Sequence, residues 1–352
     1  MLQLVIAFTI LYIIPSYSSS RVCEETSFPK IPVWVKEENG ERFQTVQGCI
    51  TSTQLHYNIL KKIRVSRQRF TSLKRGAVAN ISANFSLRFN HNPNLTTVMG
   101  EAFLNIPCVL EIDLSDNMIN WIESNVFDNM LYLEAIDLSK NQLEVLMHHT
   151  FHHLPNLTII DLSDNKFQHF NEYWFYNASK LEIIFASNNR ISSLPRASFI
   201  TLPSLQGIDL ENNQIFYIHK LAFQGLETLR ELYLGKNKLT NLQVDFSPTP
   251  NLRFLGVNEN QITYISDQTL TQLQSALRML WIHFNPWQCS CIEKVLNWGA
   301  TYNISVSFKC SNSDLFCVVP KTFQDECTDL RREDFYSDCF SQFQGFCNKI
   351  IN

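Results

Sequence analysis

Glycine and proline are scarce in this sequence, with 10 and 12 residues respectively among 352. This scarcity argues against a fibrous or disordered chain, because such chains are rich in these residues. An excess of basic charge is also absent, since 29 Lys and Arg residues are matched by 33 Asp and Glu residues, for a net charge of −4. No basic stripe with interleaved aromatic residues occurs, so nucleic acid is not an expected partner.

Catalytic motifs are missing as well. The sequence has no Gly-x-Ser-x-Gly elbow, no His-Glu-x-x-His zinc motif, no phosphate-binding loop and no glycine-rich dinucleotide turn. Its aspartates recur with a sequence repeat and do not form an isolated pair of the kind that a glycosidase uses. We therefore predict that the protein is not an enzyme and needs no cofactor.

A long apolar run is found only near the amino terminus, at Leu4–Ile14, and small residues follow it at Ser18, Ser19 and Ser20. The run is shorter than the roughly 20 residues that span a bilayer, and a small-residue site after it is typical of a secretory signal peptide. We predict a signal peptide at 1–20 and a secreted, extracellular protein with no membrane span. The alternative is a signal anchor.

The cysteines and the glycosylation motifs agree with secretion. Ten cysteines at clustered spacings in a secreted chain indicate disulfides. Six Asn-x-Ser/Thr motifs predict exposed, glycosylated positions. These are Asn80, Asn84, Asn94, Asn156, Asn177 and Asn303.

A pattern of about two dozen residues recurs along most of the chain. The stretch Val109–Leu133 carries spaced apolar residues around a single Asn117, and the same pattern returns around Asn141 and Asn165. Alignment on this position gives ten units with steps of 23 to 25 residues, so the protein is predicted to be a repeat array. The aligned residues are Gln68, Asn92, Asn117, Asn141, Asn165, Asn189, Asn213, Asn237, Asn260 and Asn285.

Each unit divides into a strand, a bend and a return segment. In one unit Leu205, Ile208 and Leu210 occupy positions 1, 4 and 6, and alternation across positions 4 and 6 predicts a short strand with one buried face. The Asn at position 9 can donate and accept, so we expect it to bond backbone groups of the neighbouring unit and form a ladder. Spaced apolar residues then return the chain over the core.

This pattern resembles the leucine-rich repeat LxxLxLxxNxLxxLxxxxFxxLxx, which Leu205–Thr228 matches almost unchanged. The resemblance covers nearly the whole mature chain. It implies an α/β solenoid, a right-handed superhelix with a parallel β-sheet on its concave face and disulfide-stapled caps at both ends. The chain is similar to insect-type secreted leucine-rich immune proteins and to Toll-like receptor ectodomains.

Two segments outside the array are predicted to be caps, because terminal repeats would otherwise expose an apolar edge. Residues 21–59 are bracketed by Cys23 and Cys49, which are predicted to form one disulfide, and contain a hairpin signal around Asn39-Gly40. The array occupies 60–284. Residues 285–340 resemble the cysteine-rich carboxyl-terminal flank of extracellular leucine-rich repeat proteins, and 341–352 form a polar tail.

The resemblance also implies a disulfide pattern in the carboxyl-terminal cap. Carried over, it pairs Cys289 with Cys310 and Cys291 with a later cysteine, for which Cys339 is favoured. Cys317 and Cys327 then form an additional pair.

Two cysteines are left over. Cys108 lies on a return segment and is interpreted as a buried structural thiol. Cys347 lies in the tail, where it could link to a partner chain, form an intrachain bond or be blocked. A disulfide-linked or non-covalent dimer is therefore one prediction for the oligomeric state.

Outward-facing strand residues define the predicted recognition surface, because successive strand residues face opposite ways. Positions 3 and 5 of the units face outward, and exposed apolar or aromatic residues there mark a binding surface. The Asp residues could instead be solvated parts of the repeat consensus, and Trp281 could be covered by the cap. The predicted partner-binding residues are Ile159, Ile183, Phe185, Tyr233, Phe254, Trp281, Asp113, Asp137, Asp161 and Asp209.

Four histidines, at 148, 149, 152 and 153, form a cluster with i, i+4 spacings. On a helix this is a metal-ligand spacing. Because Phe151 and Leu154 take the buried positions, the histidines are expected on the exposed return side without a Cys or carboxylate companion. A solvated patch is therefore favoured over a metal site or a pH-responsive site.

Ten strands at about 4.8 Å give a face roughly 45 Å long, which suits a protein, peptide or glycan better than a small metabolite. We predict a secreted, non-enzymatic protein that recognises a protein or glycan partner on its concave face, in innate immune or cell-surface recognition. The alternative is a structural or adhesive matrix protein.

Overall fold

The computed structural model describes residues 27–308 and Cys327. The predicted signal peptide, the polar tail with Cys347 and most of the carboxyl-terminal cap lie outside these residues. Within the described part of the chain, no helix is long and apolar enough to cross a membrane.

The strands are short, as expected for a unit that bends after each pass. In chain order they are β1 (Phe28–Glu37), β2 (Gly40–Gly48), β3 (Ile50–Thr51), β4 (Leu60–Arg64), β5 (Ser72–Leu73), β6 (Val78–Ala79), β7 (Phe85–Arg88), β8 (Thr97–Val98), β9 (Phe103–Leu104), β10 (Val109–Asp113), β11 (Trp121–Ile122), β12 (Ala135–Asp137), β13 (Ile159–Asp161), β14 (Ile183–Phe185), β15 (Ser193–Leu194), β16 (Gly207–Asp209), β17 (Tyr217–Ile218), β18 (Glu231–Tyr233), β19 (Phe254–Gly256), β20 (Met279–Trp281) and β21 (Ser305–Ser307).

One sheet of thirteen strands runs the length of the described chain, in the order β2-β1-β4-β7-β10-β12-β13-β14-β16-β18-β19-β20-β21. From β4 to β21 all neighbours are parallel and each strand comes from the next turn of the chain. The chain is therefore a solenoid of about eleven turns, which confirms the fold predicted from the repeat. The return segments contribute small sheets, such as β5-β8-β11 and β3-β6-β9.

Helices are few. They are a 3-10 turn at Glu172–Phe175, α1 at Asp267–Leu273 and α2 at Cys289–Thr301. The helices that the family resemblance implied are thus confined to three places among the described residues. The other return segments consist of turns and two-residue strands.

The core is formed by the periodic positions of the repeat. Leu229, Leu232 and Leu234 at positions 1, 4 and 6 are all 0% exposed. Each unit buries these side chains only against the turns on either side of it, so a single unit cannot fold alone.

Phenylalanine rings at or next to position 19 pack against one another from one unit to the next. Successive rings have centroids between 5.5 and 6.4 Å apart. Between Phe175 and Phe199 the ring of Phe170 intervenes, 5.9 Å from the first and 4.7 Å from the second. The stacked column comprises Phe103, Phe127, Phe151, Phe175, Phe199, Phe223 and Phe246.

The asparagine at position 9 connects each turn to the one before it. The Oδ1 atom of Asn213 accepts from the backbone N–H of Ile191 at 3.0 Å, and its Nδ2 donates to the carbonyl of Ala186 at 3.0 Å. The same Nδ2 also donates to the carbonyls of Leu210 and Glu211 in its own bend. This confirms the predicted asparagine ladder.

The residue just before each ladder position has a left-handed backbone conformation. Lys140, for example, has φ = 54°. This bend turns the following asparagine inward, although L-residues adopt it at a cost of about 1–2 kcal/mol. The residues in this column are Arg67, His91, Asp116, Lys140, Asp164, Asn188, Asn212, Lys236, Glu259 and Phe284.

The amino-terminal cap is an antiparallel hairpin of β1 and β2 that extends the main sheet, with its turn at Glu38 and Asn39, so the predicted hairpin is confirmed. Cys49 is disulfide-bonded, and its predicted partner Cys23 lies outside the described residues.

In the carboxyl-terminal cap the structure corrects two predicted pairings. Cys291 is bonded to Cys327, with Cα atoms 4.7 Å apart. The pairings of Cys291 with Cys339 and of Cys317 with Cys327 are therefore wrong, because a cysteine forms only one disulfide and Cys291 and Cys327 form theirs with each other. Cys289 is disulfide-bonded, and Cys310 lies outside the described residues.

Cys108 is a free thiol, and it is half-buried where full burial was predicted. It lies just before β10, at a unit position where Asn156 and Ser204 of later units are also only half-buried.

Candidate binding face

The parallel register places the outward residues of the strands in two continuous columns. Position 3 runs Ile183, Gly207, Glu231, Phe254 and Met279 across five neighbouring strands. Position 5 runs beside it, and its members are Phe185, Asp209, Tyr233, Gly256 and Trp281. The predicted contact residues of the later repeats therefore lie together on the concave face.

The aspartate side chains of this face accept hydrogen bonds from the backbone of the bend that follows their own strand. The Oδ1 atoms of Asp137, Asp161 and Asp209 each accept the backbone N–H two residues later at 2.9 Å. Asp113 makes the same bond to Ser115 and is only 6% exposed. These bonds give the recurring aspartate a structural role within the repeat, which does not depend on a ligand.

Asp113 also lies beside a basic residue of the preceding strand. Arg88 Nε is 3.6 Å from Asp113 Oδ2, and Arg88 Nη2 is 2.9 Å from Glu111 Oε1. The charges at this end of the face are thus partly neutralised by one another.

Aromatic side chains gather at the carboxyl-terminal end of the face. Tyr233 and Trp281 have ring centroids 6.0 Å apart, and Phe254 stacks on Trp281 at 6.2 Å. We call these three residues the aromatic cluster. All three are half-buried, so the cap does not cover Trp281 completely.

A hollow of about 200 Å³ lies beside the aromatic cluster, above Gly207. Ile183 and Phe185 form one wall, and the ring of Tyr233 forms the opposite wall. Phe185 is 38% exposed, as is Ile159 two strands before β16. We call this feature the Gly207 hollow. Its charged lining residues are Glu182, Asp209, Arg230 and Glu231.

Three glycines on consecutive turns shape this part of the face. A Cβ atom at Gly207 would have only Ile183 within 4 Å, so the space above it is open. A Cβ at Gly256 would lie 3.3 Å from the Tyr233 ring. One at Gly235 would lie 2.8 Å from Glu211 Oε1 and from the Asn258 side chain. The first glycine therefore leaves a hollow, while neighbouring side chains lean over the other two.

The hollow has a negative electrostatic environment. The hydroxyl of Tyr233 donates to Glu231 Oε2 at 3.0 Å. Burial, this hydrogen bond and the nearby charges of Glu231, Asp209 and Glu211 raise the pKa of Tyr233 to about 12. Burial and the charge of Asp209 likewise raise the pKa of the Glu211 carboxyl, an effect that Lys236 opposes.

The histidine cluster lies on a return segment, away from the candidate face. The rings of His149 and His152 are 5.3 Å apart, and the ring of His152 stacks on Tyr176 at 5.9 Å. Burial, followed by the neighbouring charges of His153 and His149, lowers the pKa of His152. Within residues 27–308, no group of His, Cys, Asp and Glu side chains is arranged to hold a metal ion.

Of the six glycosylation motifs, five have exposed asparagines. The sixth, Asn156, is half-buried; its Nδ2 donates to the Leu131 carbonyl at 2.6 Å and its Oδ1 accepts from Lys180 at 2.7 Å. None of the six is in the position 3 and position 5 columns between β14 and β20. Glycans at these positions would thus be attached outside the aromatic cluster and the Gly207 hollow.

The leucine-rich repeat family model matches residues 110–167, 155–215 and 208–262. Over residues 110–262 the solenoid therefore contains leucine-rich repeats. No curated protein sequence matches the chain.

Solved leucine-rich repeat structures share the fold. The TLR13 chain in its complex with ssRNA13 is 25% identical with a TM-score of 0.54, covering 58% of this chain and 28% of that one. Toll, in the Drosophila Toll–Spätzle complex, is 18% identical with a TM-score of 0.60, covering 71% of this chain and 38% of that one. A Leptospira interrogans leucine-rich repeat protein is 22% identical, with a TM-score of 0.50 and coverages of 71% and 72%. The chain thus spans well under half the length of the Toll-type structures.

Proposed function

We propose that this leucine-rich repeat chain is a non-enzymatic extracellular protein that binds a protein partner on the concave face between β14 and β20. The observation that carries the proposal is the aromatic cluster beside the Gly207 hollow. Tyrosine and tryptophan are enriched among the few residues that dominate the energetics of protein interfaces. The repeat itself does not require aromatic residues at positions 3 and 5, so their gathering there needs another explanation.

The extracellular setting is supported by the sequence features and by the disulfides. The chain contains the bonded pair Cys291–Cys327, and disulfides persist in oxidising compartments. The predicted signal peptide and the exposed glycosylation motifs point the same way. The structural likeness to Toll-type chains supports a role in recognition, with innate immune recognition as the proposed setting.

A protein fits the face better than nucleic acid does. The solved TLR13 complex contains RNA, but the hollow here is lined by three carboxylates and one guanidinium. Phosphate groups would be repelled by that excess of negative charge. A neutral glycan is a further outcome that the experiment distinguishes.

The proposal is tested by capturing native partners from extracellular fluid of the source organism. Trp281→Ala and Phe185→Ala should each weaken capture of a protein partner about tenfold or more, because truncated interface aromatics cost about 2 kcal/mol. Tyr217→Ala is the matched control, since Tyr217 is an aromatic residue 51% exposed on a return segment. Unchanged capture by both face variants would contradict the proposal. Capture that survives protease but is lost after glycosidase treatment of the fluid would indicate a glycan.

A further inference from the structure

We propose that the Gly207 hollow binds the side chain of an arginine or lysine that a protein partner presents next to an apolar residue. This inference rests on the proposed function and names the chemistry of the partner.

The shape of the hollow fits a long side chain with an apolar stem. Its volume is about 200 Å³, and Ile183, Phe185 and the Tyr233 ring form its walls. Lysine and arginine bury their methylene stems on apolar surfaces while the charged head reaches polar groups. Because Gly207 has no side chain, the stem can approach the sheet itself.

The charges that surround the hollow favour a cation. Glu182, Asp209 and Glu231 contribute three carboxylates, whereas Arg230 contributes one positive charge. Among the described residues, none of these three carboxylates takes part in an ion pair.

The carboxylates at the floor are positioned and still have acceptors available. Asp209 uses Oδ1 for the backbone N–H of Glu211, and Glu231 uses Oε2 for the Tyr233 hydroxyl. Each therefore keeps its other oxygen for a ligand. Two fixed oxygens on neighbouring strands match the several N–H donors of a guanidinium or an ammonium group.

The aromatic cluster adds a second attraction for the same kind of group. A cation within about 6 Å of the face of Tyr or Trp is stabilised by the ring quadrupole. Tyr233 lines the hollow, and the ring centroid of Trp281 lies 6.0 Å from the ring centroid of Tyr233. An apolar neighbour of the basic residue can then pack on Trp281 and Phe254.

An acidic or phosphorylated group would meet the same carboxylates and be repelled. An uncharged aliphatic side chain would fill the hollow but leave the free carboxylate oxygens facing it without a donor. Both alternatives are outcomes of the test.

The test uses immobilised peptides that differ at one residue. Each has the sequence Gly-Leu-X-Leu-Gly with blocked ends, X being arginine, lysine, glutamine, norleucine or glutamate. The intact protein should bind the arginine and lysine peptides about tenfold more strongly than the other three, and higher salt should reduce that preference.

Gly207→Leu fills the hollow and is the decisive variant. Its Cβ would have ordinary contacts of 3.8 and 3.9 Å with Ile183, so the fold should tolerate it. It should abolish the preference for basic peptides. Ala135→Leu is the matched control, because Ala135 occupies position 3 of an earlier strand and is half-buried, and it should leave the preference intact. Glu231→Gln should lower the preference without filling the hollow.

Equal binding of the glutamine and arginine peptides would overturn the inference, as would a basic preference that persists in Gly207→Leu. Binding of none of the peptides would overturn it as well. The proposed function is tested separately. A native partner whose binding depends on Trp281 and Phe185, but not on Gly207 or on salt, would support the proposed function and contradict the inference of a basic side chain in the hollow.

Discussion

Tyr233 and Trp281 meet above Gly256, with ring centroids 6.0 Å apart, although a whole strand separates them. Neighbouring strands are about 4.8 Å apart, so the rings can touch only because the intervening residue has no side chain. The Tyr233 ring passes 3.3 Å from where a Cβ would be. A glycine on β19 therefore joins two aromatic residues into one surface and sets the edge of the Gly207 hollow.

The phenol of Tyr233 should titrate unusually late. Burial, the bond to Glu231 and the surrounding carboxylates raise the pKa of Tyr233 to about 12, against an ordinary value near 10. Because the folded-state pKa is the higher one, the stability that the neutral phenol contributes is complete below about pH 10 and is lost as the pH rises through about 12.

Tyrosinate absorbance measures this directly. The difference between the titrations of the native protein and Tyr233→Phe should rise near pH 12. Glu231→Gln should move that rise toward pH 10, the ordinary pKa of tyrosine. The substitution removes the negative charge of Glu231, which both strengthens the hydrogen bond from the neutral phenol and repels the tyrosinate anion. A difference curve centred near pH 10 would contradict the assignment.

The asparagine ladder should be expensive to interrupt. Asn213 is 7% exposed and bonds the backbone of two turns. Asn213→Ala would leave buried N–H and C=O groups without partners, each at about 1–3 kcal/mol, so we expect the free energy of unfolding to fall by about 3 kcal/mol. Urea denaturation measures the change. Gln214→Ala is the control, because this neighbouring amide side chain is exposed and its loss should have little effect.

The repeat, its buried positions and the outward columns could all be predicted from the sequence. Those features depend on the spacing of apolar residues, which is repeated in every unit. Even the unit in which Gln68 replaces the asparagine has its apolar residues at the expected positions. Strand alternation predicts that the residues at positions 3 and 5 face outward. They form continuous columns because equivalent residues of neighbouring units pair with each other, as they do between β16 and β18.

Features that depend on contacts between units could not be predicted. The strand β21 contains only one apolar residue, Val306, between two serines, so no pattern marks it. The pairing of Cys291 with Cys327 depends on the path of the chain after α2 and not on cysteine order. The sequence places Gly207 at position 3 and Gly256 at position 5 of their units. It does not predict that the space above Gly207 is open while the Tyr233 ring covers Gly256, because that difference depends on the rotamers of neighbouring side chains.

The bend before each ladder asparagine should accept glycine and reject β-branched residues. Lys140 has φ = 54° and an exposed side chain. Lys140→Val should lower the free energy of unfolding by about 1–2 kcal/mol, because a Cβ-branched residue is strained in the left-handed region. Lys140→Gly should be neutral or slightly stabilising. Thermal unfolding compares them, with Lys238→Val as the exposed control without a positive φ; equal losses in the two valine variants would remove the backbone explanation.

The corrected disulfide should hold α2 against the segment that contains Cys327. Cys291 is completely buried and its bond closes a separation of 36 residues. Loss of a disulfide across such a loop costs about 2–4 kcal/mol, so Cys291→Ser and Cys327→Ser should lower stability by similar amounts, and the double variant should be no worse than either. Non-reducing peptide mapping should recover the Cys291 peptide linked to the Cys327 peptide. Recovery of Cys291 linked to Cys339 would restore the pairing that the family resemblance implied, and it would leave Cys327 free to pair with Cys317.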